Sequence, residues 1–161
     1  RLPPSLTAAA SVADPARRGD GRTPPRHAVL SRADRTAFST ENIMTDLKDA
    51  EPGLVVVWIT RDREAAFNMA LMYAKNSRLK GWWNDVHLLV WGPSADLLAH
   101  DAELAGELAA CLEAGVEGYA CRACAERYGV AERLEALGLA VVYAGEPLTS
   151  YLKSGWKVLT I

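Results

Sequence analysis

From residue 53 onward the chain alternates between two kinds of apolar pattern. "GLVVVWIT" (53–60) is a continuous run rich in β-branched residues, the pattern of a strand buried on both faces. In "RDREAAFNMALMYAKNSRL", Ala66, Phe67, Ala70, Leu71 and Ala74 share one helical face, with Asp62 placed to cap the start and Gly81 to follow the end. "DVHLLVWG" (85–92) predicts a second strand, with His87 alternating inside it. "PSADLLAH" predicts a short helix that breaks near His100. Asp101 then caps another, in which Leu104, Leu108 and Leu112 form a stripe that stops at Gly115. "VEGYA" (116–120) predicts a third strand, "CRACAERYG" a helical turn, and "AERLEALG" a helix ending at Gly138. "LAVVYA" (139–144) predicts strand four. "EPLTSYLKSG" predicts a helix with Pro147 in its first turn and Gly155 past its end, and "WKVLTI" (156–161) strand five.

Strands alternating with helices at this spacing imply βαβ units, and hence a parallel sheet with helices on both faces. Crossovers are then right-handed. In such folds ligands and reactive groups collect at the carboxyl ends of the strands, which directs attention to loops 60–63, 91–95, 120–124 and 144–147.

The first 43 residues follow neither pattern. They hold five of the eight prolines, seven arginines and no lysine. A segment of this kind buries too little apolar surface to offset its ordering entropy, so a disordered tail is expected over 1–43 and a single α/β domain over 44–161. The tail has no apolar core of a secretory signal, and Asp14, Asp20, Asp34 and Glu41 argue against a transit peptide. Translation of upstream sequence ahead of Met44 is a simple account of it.

The 161 residues suffice for one domain with its own core, and 50% hydrophobic with 24% charged residues is ordinary for a globular chain. The formal net charge is -2, and residues 44–161 carry 11 basic and 16 acidic side chains. That balance excludes a basic field for nucleic acid. No apolar run approaches the roughly 18 residues of a membrane span. Three cysteines make no disulfide framework, so a reduced, cytoplasmic protein is expected.

Two of those cysteines, Cys121 and Cys124, lie in "YACRACAERYG". Cys121 falls at the carboxyl end of strand three and the amino end of the next helix, where helix amides favour a thiolate. Arg122 is adjacent and Arg127 lies within two turns, so both add positive potential. Cys124, one turn on, is within reach of Cys121, as in a dithiol pair. A zinc site needs four ligands, and there is no second C-x-x-C and no histidine pair, so no metal is expected. Cys111 belongs to the Leu104/Leu108/Leu112 helix and reads as core. "WGPSADLL" offers a second candidate: Gly92 and Ser94 at a helix amino end, suited to an anion. No G-x-G-x-x-G or Walker pattern accompanies it. Trp82 and Trp83 follow a helix and suit an edge or a subunit contact.

Four stretches together resemble the DsrE/DsrF-like family, with its YchN-like and TusD-like sulfur relay proteins. They are "VVVWITRDREAAFNMALMYAKNSRLKGWW", "DVHLLVWGPSADLLAHDAELAGEL", "ACRACAERYGV" and "GEPLTSYLKSGWKVLT". The resemblance implies a three-layer α/β/α domain with a five-stranded parallel sheet, assembled into homotrimers or homohexamers. It also implies a cysteine after strand three that carries sulfur as a persulfide, in a segment resembling C-x-A-A-A-x-R-x-G. Cys121, Ala123, Ala125, Arg127 and Gly129 match that segment, and Cys124 stands where it has alanine. The first loop, "TRDRE", also departs, since a small residue or glycine is expected before the Asp.

The leading expectation is therefore a sulfur-trafficking protein. Cys121 carries the persulfide, Cys124 is the resolving thiol and Arg122 an electrostatic helper. Sulfur donor and acceptor proteins are its partners, and it uses no cofactor. The alternatives are a non-catalytic, self-assembling subunit joined through apolar faces and Trp82, Trp83 or Trp156, and a Cys121/Cys124 dithiol redox protein.

Overall fold

The computed structural model describes residues 51–161. The expectations for residues 1–43, and for a domain start at Met44, lie outside the described residues. All five expected strands form: β1 (Leu54–Trp58), β2 (Val86–Val90), β3 (Glu117–Cys121), β4 (Ala140–Val142) and β5 (Lys157–Thr160). They lie in one parallel sheet, in the order β4-β3-β2-β1-β5. The two continuous apolar runs take the protected places. Every residue of β1 and of β2 is buried, whereas β5, at an edge, is only partly covered.

Six helices connect the strands. α1 runs through Arg63–Ala65, a π-helical stretch Ala66–Leu71, and Met72–Leu79. α2 is Pro93–His100, α3 Ala102–Glu113, α4 Arg122–Tyr128, α5 Ala131–Ala136 and α6 Gly145–Lys153. The caps read from the sequence are in place. Asp62 Oδ1 accepts from the Ala65 amide at 2.9 Å, and Asp101 Oδ1 accepts from the Glu103 and Leu104 amides at 3.0 Å each. The π-helical stretch was not expected. A period of 3.6 fits the apolar stripe, and the wider turn still keeps Ala66, Ala70, Leu71 and Ala74 buried.

The strand order decides how the helices are shared between the faces. Steps from β1 to β4 all move the same way across the sheet, so right-handed crossovers put α1 to α5 on one face. The return from β4 to β5 runs the other way and puts α6 on the opposite face. The packing agrees. One core joins Leu54, Val56 and Leu88 of the sheet to Leu71, Leu98, Leu104, Leu108 and Leu134. The other joins Val55, Val57, Leu89, Tyr119 and Cys121 to Tyr151 of α6 and to Trp156. The fold is thus the expected three-layer α/β/α sandwich, and among the described residues its third layer is the single helix α6.

Beneath α6 lies a polar network that the apolar pattern of β2 does not announce. His87 Nδ1 is 2.6 Å from the Tyr151 hydroxyl, and His87 Nε2 is 3.3 Å from Glu117 Oε2. The Tyr119 hydroxyl donates to the same Glu117 oxygen at 2.5 Å. The Trp156 ring lies 4.5 Å from the His87 ring, centre to centre. Burial, and then the charge of Glu117, push the Tyr151 phenol well above its ordinary range.

This placement corrects one expectation for assembly. Trp156 is only 5% exposed, because it packs under α6, and it has no surface to offer a subunit. Trp83 packs against the main core. Trp82 is 58% exposed and stacks beside Tyr73.

Candidate functional site

Cys121 is the last residue of β3 and the N-cap of α4. Its backbone is still extended (φ -68°, ψ 115°), and its side chain makes no capping bond to the helix. The strand thus runs one residue further than the sequence pattern indicates, and the thiol sits on the strand-helix junction itself. It is 5% exposed and belongs to the core beneath α6. Cys124, in the first turn of α4, is half-buried, and both cysteines are free thiols. Burial first, and then the neighbouring Cys121 thiol, push the Cys124 thiol up. The Gly92 amide and the Arg127 guanidinium act the other way.

The thiol pair lies where the sheet opens. β3 and β4 run side by side, with Cys121 paired to Val142. After Cys121 the chain turns to the face that carries α4, and after β4 it turns to the face that carries α6. Neighbouring strands whose chains leave to opposite faces form a crevice at their carboxyl ends, the usual place for ligands in an open α/β sheet.

The other expected site residues divide into those brought to the pair and those held elsewhere. Gly92 is brought to it, since its backbone acts on Cys124 and eases the loss of the thiol proton. Its backbone (φ 75°, ψ -139°) is one that residues with a Cβ rarely adopt, so a glycine serves this turn. Ser94 is not presented to an anion. It is fully buried, and its hydroxyl lies 2.6 Å from the Trp58 carbonyl and 3.1 Å from the Trp91 carbonyl, tying the start of α2 to the ends of β1 and β2. Arg122 is anchored across the crevice. Its guanidinium donates to the Val141 carbonyl of β4 at 2.6 Å and lies 3.9 Å from Glu126. The cation whose charge acts on Cys124 is Arg127. The cations of the first loop are also engaged: Arg61 pairs with Asp96, and Arg63 with Asp101 at 2.6 Å and with Glu103.

Cys111, by contrast, is core. Its thiol donates to the Leu71 carbonyl at 3.3 Å, and burial lifts it to about 12. Sequence reasoning named Arg127 but missed the Gly92 amide as a partner of sulfur. The available signal was only that loops 91–95 and 120–124 both end neighbouring strands. Among the described residues no group of three or more His, Cys, Asp or Glu side chains is arranged to hold a metal. No helix among them is long and apolar enough to cross a membrane.

The family model for DsrE/DsrF-like proteins matches residues 55–161, the whole of the sheet but for its first residue. The chain belongs to the DsrE/DsrF-like family. A solved structure of a conserved protein of unknown function from Bacteroides thetaiotaomicron is similar to it, with 42% sequence identity and a TM-score of 0.65. That match covers 67% of this chain and 93% of the other. A comparison with curated proteins gave no match. The DsrE/DsrF-like assignment and the five-stranded parallel fold read from the four sequence stretches are therefore both borne out.

Proposed function

We propose that this DsrE/DsrF-like protein is a sulfur-trafficking protein that carries sulfur as a persulfide on Cys121. The observation that carries the reading is the position of Cys121. It ends β3 at the crevice where β3 and β4 part, and heads α4 with no capping bond of its own. A thiolate there takes the outer sulfur of a persulfide donor, R–S–SH. The new bond joins Cys121 Sγ to that sulfur, the donor's sulfur-sulfur bond breaks, and the donor leaves as its thiolate, which takes a proton to become R–SH. The chemistry calls for a donor and an acceptor protein and for no organic cofactor or metal. A cytoplasmic, reducing compartment suits free thiols. Cys124 is the resolving thiol, and its place in the first turn of the helix that Cys121 heads supports that pairing.

The test is an intact mass of the full chain after exposure to glutathione persulfide, with peptide mapping. Addition of one sulfur atom at Cys121, absent in Cys121→Ser, is expected. Absence of that sulfur under conditions that keep Cys124 from reacting overturns the reading.

Self-assembly into homotrimers or homohexamers is part of the proposal. Its support is the exposed apolar stripe of Met69, Met72 and Leu79 on α1, with Trp82 at its end. Sedimentation of the full chain beside a Trp82→Glu, Leu79→Glu variant tests it. A wild-type monomer at micromolar concentration ends it.

A further inference from the structure

A carrier needs one thiol, and this site has two. Cys121 lies inside the strand-helix junction as the N-cap of α4, and Cys124 lies on its half-exposed side in the first turn of the same helix. Positions three apart at a helix start bring side chains within about 5–6 Å at Cβ, a separation from which a disulfide closes with small movement. Two further groups face Cys124 and have no other role at the site. One is the Gly92 amide, held toward sulfur by a backbone that glycine tolerates. The other is the Arg127 guanidinium, exposed and one turn along α4. Both work against the burial that keeps the second thiol protonated, and so ease formation of the anion that attacks a sulfur-sulfur bond.

We propose that the pair discharges its cargo: Cys124 displaces the outer sulfur of a Cys121 persulfide as hydrogen sulfide and leaves a Cys121–Cys124 disulfide. This rests on the carrier reading above. In the step, the Cys124 thiolate attacks Cys121 Sγ. The Sγ–Sγ bond forms, the bond from Cys121 Sγ to the outer sulfur breaks, and HS⁻ leaves with the electron pair. The Cys124 sulfur is oxidised to the disulfide level, Cys121 Sγ is already at it in the persulfide, and the outer sulfur is reduced to sulfide, so no outside oxidant enters. A dithiol reductant returns the pair to its starting state. Burial holds Cys124 as the thiol at rest, and Arg127 and the Gly92 amide are positioning groups that ease the loss of its proton when it attacks.

The test compares the full wild-type chain with Cys124→Ser and Cys124→Ala after one exposure to glutathione persulfide and rapid removal of all small thiols. Three readouts are taken together: sulfide released, intact mass, and the mapped site of added sulfur. The expected wild-type result is one sulfide per chain and a mass two hydrogens lower, with the disulfide mapped to Cys121 and Cys124. Both Cys124 variants keep one added sulfur on Cys121, and their sulfide release falls about tenfold or more. An Arg127→Gln variant loads as wild type does, but its discharge slows several-fold and its rate rises at higher pH. A wild-type protein that holds the added sulfur as long as the Cys124 variants do, without a disulfide, overturns the discharge and leaves the carrier reading standing. Cys124 variants that take no sulfur on Cys121 overturn the carrier reading itself.

Discussion

Tyr151→Phe removes one oxygen from the helix that, among the described residues, forms the third layer. Tyr151 is 1% exposed, and its hydroxyl meets His87 Nδ1 at 2.6 Å. A buried intramolecular hydrogen bond contributes about 0.5–1.5 kcal/mol net, so a loss of about 1 kcal/mol is expected at pH 7. The ring is a separate matter. Its centroid lies 5.5 Å from that of His87 and 5.1 Å from that of Trp156, and Tyr151→Ala opens a cavity among them, at about 3–5 kcal/mol. Urea unfolding followed by tryptophan fluorescence measures both, and an unchanged m-value is required for the comparison. The alkaline limb gives an independent check. Burial and the charge of Glu117 raise the folded phenol above its unfolded value. The contribution is therefore complete below about pH 10 and is lost as pH rises, because the unfolded phenol ionises while the folded one keeps its proton. The wild-type advantage over Tyr151→Phe should shrink by about 1.4 kcal/mol per pH unit above that point. Equal stability of the two proteins at pH 7, with parallel alkaline limbs, would falsify the placement of this hydroxyl in a buried bond.

Three further expectations follow from other parts of the fold. In Gly53→Ala the new Cβ would lie 2.4 Å from the Asp85 carbonyl oxygen and 2.9 Å from a Trp156 ring carbon, so overpacking of about 1–3 kcal/mol is expected by urea unfolding; a neutral result contradicts that close approach. Cys111, lifted to about 12 by burial, should react with a thiol reagent at pH 8 only as fast as the protein unfolds, while fast labelling in the native state would show an open α3. Asp101 is held below the ordinary carboxylate range, first by the Leu104 amide and then by Arg63, so its contribution is present above that range and lost as pH falls through the lowered value. Asp101→Asn should keep the cap yet flatten the acid limb of the melting temperature, and an unchanged acid limb would count against the Arg63 pairing.

How far the fold was legible depended on the reach of each signal. The strands were written in short range, since "LVVVW" has no polar position to turn outward and "VHLLV" has only His87, so both must lie inside the sheet. The cap at Asp101 and the cysteine at the end of β3 were equally local. The π-helical stretch in α1 left no mark, because its buried residues satisfy a regular helical stripe as well. Ser94 misled for a related reason. A serine after Gly-Pro reads as an open helix start, and only the ends of β1 and β2 brought beside it show where its hydroxyl is spent. Trp156 precedes β5 by one residue, and its burial depends on α6 crossing that face of the sheet.

The same topology explains why the two thiols and Gly92 meet. No local pattern states that β4 lies beside β3 rather than beyond β5. Yet that one choice turns the chain back across the sheet, parts the connections after β3 and β4, and leaves Cys121 at the opening. Gly92 ends the neighbouring strand β2 on the other side of β3, so its amide arrives at Cys124 by strand order alone. A cysteine three residues after Cys121 on any other strand would have lacked both the crevice and the amide. The second thiol acquires its chemistry from the strand order, which is why variants at Gly92 and Arg127, rather than at Cys124 only, discriminate a working dithiol from two cysteines that happen to be close.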